Sequence, residues 1–242
     1  MPGTPTRSAL TRRGAALGLA MLALGGPAAL AATTVDFKVG GGRFGGFSGV
    51  AVEGDRGVNR IAVAFEEEAN RYTIRDRASR VIGPDECERV NRQALRCEAA
   101  FGGELRVRGN DGDDVLRLAG PTQRGGTLVG GAGGDLLRGG GRGDDLDGGG
   151  GPDLLSGGLG DDSVDGFGGN DVMRGQGGDD LLGALDEFGR DVFEGGGGDD
   201  LVSAVNRDAD RRIDCGPGRD QAFVDRQDPR TRRCERVPTI KP

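Results

Sequence analysis

Aspartate returns every nine residues through the middle of this chain, at Asp135, Asp144, Asp153, Asp162, Asp171 and Asp180. Two residues after each comes an apolar side chain: Leu137, Leu146, Leu155, Val164, Met173 and Leu182. Read from Gly130, the units are GGAGGDLLR, GGGRGDDLD, GGGGPDLLS, GGLGDDSVD, GFGGNDVMR and GQGGDDLLG, in unbroken phase to Gly183. A carboxylate is a hard oxygen donor, and glycines let the backbone turn tightly and bring carbonyl oxygens close to an ion. Oxygen donors of both kinds suit calcium, which takes six to eight of them at about 2.3–2.6 Å in a tolerant geometry. One short turn cannot supply six ligands, but two stacked turns can.

The elements that would position these aspartates follow from the same period. The unit divides into a six-residue glycine-rich turn and a three-residue strand whose side chains alternate out, in, out. The eighth position then faces inward, and a stack of Leu, Val and Met forms the core. A fixed period of nine implies a stacked repeat architecture.

These nonapeptides resemble the RTX, or hemolysin-type, calcium-binding repeats. The resemblance implies an all-β fold, a parallel β-roll (a β-solenoid) with two nonapeptides per coil and Ca2+ held between turns one coil apart. Asp135 would then share an ion with Asp153, and Asp153 with Asp171; on the other edge Asp144 would pair with Asp162, and Asp162 with Asp180. That gives about four full sites. Downstream, two extra residues shift the phase before DEFGRDVFE and GGGGDDLVS, which keep Asp191 and Asp200 with Phe193 and Val202 inside. They raise the expected count to between about four and six ions, provided the insertion bulges out as a loop. GNDGDDVLR, with Asp114 and Leu116, is a weaker upstream candidate; PTQRGGTLV has Gly126 in place of the aspartate and is expected to bind nothing. CGPGRDQAF, with Asp220, reads as a last degenerate unit, as the ends of a solenoid need caps.

Composition narrows the function. The 242 residues include 50 glycines, 9 Phe, 1 Tyr and no Trp, which fits a narrow aliphatic stack rather than a broad globular core. No histidine is present, so Ser-His-Asp and Cys-His nucleophiles and histidine zinc sites are excluded. The acidic cluster outside the repeats, Glu66-Glu67-Glu68, reads as a solvated strand end, and no helix follows the GxGxxG-like strings. The expectation is a protein that is not an enzyme; the competing reading places a hydrolase or lyase site in residues 35–108, and would require a cleft with convergent carboxylates there.

Residues 1–31 read as a signal peptide: Arg7, Arg12 and Arg13 precede the apolar stretch Ala15 to Leu24, and Ala29-Leu30-Ala31 fits a small-x-small cleavage site. Thr11-Arg12-Arg13 is compatible with twin-arginine export, but a roll that needs calcium would not fold in a calcium-poor cytoplasm, so the general secretory route fits better. Losing those three arginines takes the formal charge from −7 to −10, which argues against a nucleic-acid partner, and the apolar stretch is too short to span a membrane. A secreted, extracellular protein is expected.

Residues 32–108 then form a β-rich N-terminal cap, 109–203 the calcium-binding roll and 204–242 a C-terminal cap. Short strands are expected at Val50 to Val52, Arg60 to Phe65, Arg71 to Arg75 and Glu104 to Arg108, with a hairpin between Cys87 and Cys97. Four cysteines in an exported chain suggest disulfides. Of three possible connectivities, Cys87–Cys97 and Cys215–Cys234 are favoured because each closes a local loop outside the roll. The flanks resemble those of small secreted calcium-binding proteins of high-GC Gram-positive bacteria, in their cysteine-paired β segment and CGxGxD…C ending. In the toxins, proteases and lipases that carry such a roll it is attached to an effector domain, whereas here it is the largest of the three segments after the signal segment.

The seventh position should point outward. On one side of the roll it reads Leu136, Leu154, Val172 and Val192, an apolar stripe suited to self-association or a surface partner. On the other it reads Asp145, Ser163, Leu181 and Leu201, a partial stripe. The function expected is calcium-coupled folding of a structural or surface-interaction protein, with an adhesive or self-assembling module as the alternative.

Overall fold

A computed structural model describes residues 32–38, 49–66, 71–78, 80–82, 88–98, 104–119, 125–183, 189–206 and 208–235. All regular structure among them is β, in two ten-stranded sheets. Edge to edge, one sheet contains Gln221–Val224, Leu201–Ala204, Leu181–Gly183, Ser163–Gly168, Asp145–Gly150, Gly126–Ala132, Glu104–Asp111, Gly49–Glu53, Ala32–Lys38 and Arg80–Ile82. The other contains Arg212–Asp214, Val192–Gly197, Val172–Gly177, Leu154–Leu159, Leu136–Arg138, Val115–Ala119, Arg60–Glu66, Arg71–Asp76, Ala94–Glu98 and Glu88–Asn91. From Glu104 onward the chain alternates between sheets at each repeat, and successive strands within a sheet pair in parallel, as at Leu136↔Leu154↔Val172↔Val192 and Asp145↔Ser163↔Leu181↔Leu201. This is the parallel β-roll, two nonapeptides to the coil.

Several strands of the roll are longer than three residues. Asp145–Gly150 and Ser163–Gly168 run through positions seven to nine and on into positions one to three of the next unit. The turn therefore shrinks to about three residues. The extension was hidden because glycine is a poor strand former, yet here main-chain pairing to both neighbouring coils holds it. Left-handed backbone brackets many of the corners: Gly131 (φ 120°) and Gly133 (φ 139°) sit at positions two and four, where a Cβ would strike the main chain of the previous coil. Asn110, Phe167 and Gln176 take position two at φ 82°, 57° and 82°.

Alternation along the strand turns positions eight and one inward. Leu137, Leu155, Met173, Leu182, Phe193 and Val202 are fully buried and Leu146 and Val164 nearly so. The core is thus one ladder of side chains per sheet, prolonged by Ile61, Leu116, Ile213 and Ala222. Because position one also faces inward, glycine there keeps the two sheets close.

The ladder extends past both ends of the recognisable repeats. Downstream, Arg212–Asp214 and Gln221–Val224 stack in parallel on Val192–Glu194 and Leu201–Ala204. The Cys215–Cys234 disulfide then fastens the tail, which adds an isolated Asp214↔Arg232 bridge. A chain of ion pairs, Arg174–Glu194–Arg212–Asp214–Arg233, ties this end to the coils before it. Upstream, pairing turns antiparallel at Arg71–Asp76, Ala94–Glu98 and Ala32–Lys38, which covers the first coil with its own apolar packing of Tyr72, Ile74 and Leu95. The expected hairpin is present over Glu88–Glu98. Cys97 is disulfide-bonded, whereas Cys87 and the signal segment lie outside the described residues. No helix among the described residues is long and apolar enough to cross a membrane.

The inward side chains of both sheets belong to one continuous core cluster, so truncating one of them leaves a buried cavity. Leu155→Ala in the calcium-loaded protein is expected to cost about 2–5 kcal/mol, read as a lower midpoint in urea unfolding.

Candidate metal centre

The corner between strands places every position-six aspartate against the same position one coil away. On one edge, the main-chain N–H of Asp135 donates to Asp153 Oδ1 at 2.7 Å, that of Asp153 to Asp171 Oδ1 at 2.8 Å and that of Asp171 to Asp191 Oδ1 at 2.8 Å. On the other, Asp144 donates to Asp162, Asp162 to Asp180 and Asp180 to Asp200, at 2.8, 2.9 and 2.9 Å. The pairs implied by the repeat resemblance are therefore brought together. The sequence separation rises from 18 to 20 across the phase shift, yet the ladder register is kept on both edges.

Both rails run further than expected. Asp114 N–H donates to Asp135 Oδ1 at 2.7 Å, which joins the weaker upstream candidate to the first rail. Asp191 donates to Asp210 Oδ1 at 3.0 Å and Asp200 to Asp220 Oδ1 at 2.9 Å. Asp210 escaped sequence reading because its turn lacks the glycines that mark the others. The second rail ends at Gly126, whose N–H donates to Asp144 Oδ1 but which contributes no carboxylate. Position five was also missed, although Asp-Asp dipeptides signal it. Asp179 N–H donates to Asp161 Oδ1 and Asp199 N–H to Asp179 Oδ1, at 2.9 and 2.7 Å, in the direction opposite to the inner rail. Neighbouring turns are thus clasped from both sides.

One oxygen of each inner carboxylate is accounted for by the amide of the preceding coil. The other is not. Oδ2 of Asp114, Asp135, Asp153, Asp162, Asp180, Asp200, Asp210 and Asp220 is buried with no hydrogen-bond donor, on residues at most 4% exposed. Around Gly130 the position a Cβ would occupy is crowded by Asp135 Oδ2 and the carbonyl oxygen of Gly148 together; Gly148 and Gly175 repeat the pattern with Asp153 and Asp180. Acceptors thus face acceptors from two coils, an arrangement that a cation satisfies and nothing else in the turn does. No group of three or more acidic, Cys or His side chains converges among the described residues. The remaining ligands would accordingly be main-chain carbonyls, which suits calcium. Asp144 differs in that its Oδ2 accepts from Gly140 N–H at 2.6 Å.

The remaining candidate features are modest. A groove of about 460 Å3 beside Arg60, Arg75, Arg77 and Arg117 holds one carboxylate, Glu66. Thr73 and Arg71 both donate to it and hold its carboxyl below the usual range, so this groove brings no second described carboxylate to Glu66; Glu67 and Glu68 lie outside the described residues. In the apolar stripe, Leu136 and Leu154 are 37% and 36% exposed, while Val172 and Val192 are half-buried.

Burial, with neighbouring carboxylates adding to it, pushes the inner aspartates up from 3.8: Asp114, Asp180 and Asp200 to about 6, Asp153 and Asp162 to about 7, and Asp210 to about 8. A folded-state value above the unfolded one means that the proton favours the metal-free roll. That contribution is complete below pH 3.8 and is lost as pH rises through 6 to 8. In chelator the β signal in far-UV circular dichroism should therefore be stronger at pH 5 than at pH 8. With calcium the dependence reverses, because ion and proton compete for the same oxygens; a calcium midpoint that does not move between pH 5 and 8 would contradict these assignments.

No curated protein and no solved structure matches the chain. A family model described as the RTX calcium-binding nonapeptide repeat (4 copies) matches residues 124–155, 147–182 and 186–204. The matched rungs contain Asp135 to Asp200, the centre of both rails, and over them the chain consists of RTX calcium-binding nonapeptide repeats.

Proposed function

We propose that this is a secreted structural protein whose roll folds when calcium bridges the two aspartate rails. The observation that carries the reading is the row of buried Oδ2 atoms without a donor, which at Asp114, Asp135, Asp153, Asp180 and Asp200 lie beside a carbonyl oxygen of the next coil. Bound calcium supplies positive charge between coils whose carboxylates would otherwise repel. The chain's own groups do the rest: Oδ1 fixes each carboxylate on the preceding amide, glycine keeps position one open, and the aliphatic ladder closes once adjacent turns are drawn together. Because the unfolded chain has no such site, binding free energy becomes folding free energy. Interior aspartates such as Asp153 and Asp162 each belong to two intervals, so binding is cooperative. The six intervals between Asp135 and Asp200 are the expected ion positions; Asp114/Asp135, Asp191/Asp210 and Asp200/Asp220 share their geometry.

Export fits the calcium requirement, since extracellular calcium is millimolar, and it fits the Cys215–Cys234 disulfide. A second reading, calcium-dependent self-association, is favoured by the exposure of Leu136 and Leu154 at adjoining rungs of one sheet face. It depends on the roll being folded and so does not compete with the first.

A calcium titration followed by far-UV circular dichroism, with magnesium and chelator controls, should show a cooperative, calcium-specific coil-to-β transition. Asp162→Ala, which breaks two intervals, should raise the midpoint and lower the Hill slope more than Asp220→Ala at the end of the rail. A spectrum fully folded in chelator at pH 8 would refute the reading. For the second reading, Leu154→Glu with Val172→Glu should abolish calcium-dependent association in sedimentation velocity while leaving the folding transition in place.

A further inference from the structure

The segment Gly54 to Ala62, GDRGVNRIA, occupies one full corner of the roll although it does not read as a repeat. Arg60↔Val115 and Ile61↔Leu116 place it in register with the unit that contains Asp114, and Glu53↔Arg108 does the same on the other sheet. Ile61 stands in the inward ladder. Asn59 therefore holds position six, one coil before Asp114, at the head of the first rail. It behaves on the main chain like the aspartates that follow, its N–H donating to Asp114 Oδ1 at 2.6 Å.

Its side chain behaves differently. Asn59 is fully buried, and its Nδ2 faces four oxygens. Within its own turn these are the carbonyls of Gly57 at 2.7 Å and Asp55 at 3.2 Å. From the next coil come the carbonyl of Gly109 at 3.2 Å and Asp114 Oδ1 at 3.0 Å. Oδ1 meanwhile accepts from Asp55 N–H at 3.1 Å, so the hydrogen-bond network sets which end of the carboxamide is which. Nδ2 stands where the other units have Asp Oδ2. A Cβ on Gly54 would meet Asn59 Nδ2 at 2.6 Å and the Gly109 carbonyl at 2.7 Å, just as one on Gly130 would meet Asp135 Oδ2 and the Gly148 carbonyl. One atom decides the outcome. At Asp135 an acceptor faces acceptors and a cation is needed; at Asn59 a donor faces them and none is.

We propose that Asn59 fills the first intercoil interval with its own amide in place of calcium, so that the ion array begins at Asp114 and the roll starts from an ion-free rung. This rests on the calcium reading given above. The carboxamide offers two N–H bonds to the same oxygen cage without bringing a charge, and it keeps the coil next to the N-terminal cap ordered where no ion binds. The same chemistry identifies the residue as the switch between the two kinds of interval.

The test is the number of calcium ions bound per full-length chain, measured by equilibrium dialysis at saturating calcium with elemental analysis, for the wild type and Asn59→Asp. One additional ion in Asn59→Asp is the expected result. An unchanged count in a variant whose far-UV spectrum matches the wild type would overturn the proposal. A wild type that binds no calcium would instead overturn the calcium reading, and this inference with it. Should Asn59→Asp fail to fold, side-chain amide exchange in the calcium-loaded wild type decides. Asn59 NH2 protons protected at least tenfold over exposed asparagines support the filling, and exchange at the solvent rate refutes it.

Discussion

The fold depends on what lies between two carboxylates buried one coil apart. Each inner aspartate accepts the amide of the coil before it, which sets the register of the whole roll. That contact also draws the second oxygen out of water and aims it at main-chain carbonyls. An uncompensated buried charge costs several kcal/mol, and a row of them exceeds the margin of 5–15 kcal/mol by which folded domains are stable. The carboxylates must therefore be protonated or bridged by cations. Geometry that is well made for the backbone is, in electrostatic terms, incomplete by design.

Other features follow from this constraint. A core one side chain wide per sheet cannot offset the repulsion, and in a solenoid each rung gains stability only from its immediate neighbours. Glycine at position one is required because the carboxylate and a carbonyl already occupy the space of its Cβ, as at Gly130. The outer clasp of Asp161, Asp179 and Asp199 keeps adjacent turns at the distance the inner pair needs. The two ends are closed by other means, since neither has a further rail to lean on. Antiparallel strands with their own apolar cluster cover the first coil, and a disulfide with an arginine–carboxylate chain secures the last.

Much of this was legible in the residues themselves. Position six and position eight could be read directly, because a carboxylate and an inward aliphatic are needed at every rung. The pairings Asp135/Asp153 and Asp144/Asp162 came with the family resemblance. Strand length was not legible, since glycines at positions one to three carry no strand propensity and are held by pairing alone. Nor were two of the outlying rungs. Asp210 stands in a turn without the usual glycines, and a spacing of 19 separates it from Asp191. In GDRGVNRIA asparagine replaces the aspartate that marks a unit. Where the physical need at a position changes, the residue changes with it, and a search keyed to the repeat then passes over it.

That substitution also gives the roll a direction. On the calcium reading proposed above, every interior interval needs an ion from solvent before its two turns can close, so closing any one of them in isolation means ordering two turns and immobilising an ion at once. The interval between Asn59 and Asp114 needs nothing from solvent: its donors and acceptors are all present in the chain. It is joined on one side to a cap with a conventional apolar core, and on the other it presents Asp114 already oriented toward Asp135. In a one-dimensional array where each rung templates the next, an end that closes on its own lowers the cost of the first ion-dependent step and leaves the later steps unchanged. On the calcium-coupled folding and the Asn59 filling proposed above, the stack would grow from its N-terminal cap, with the ion-dependent rungs added outward from a surface that is formed beforehand.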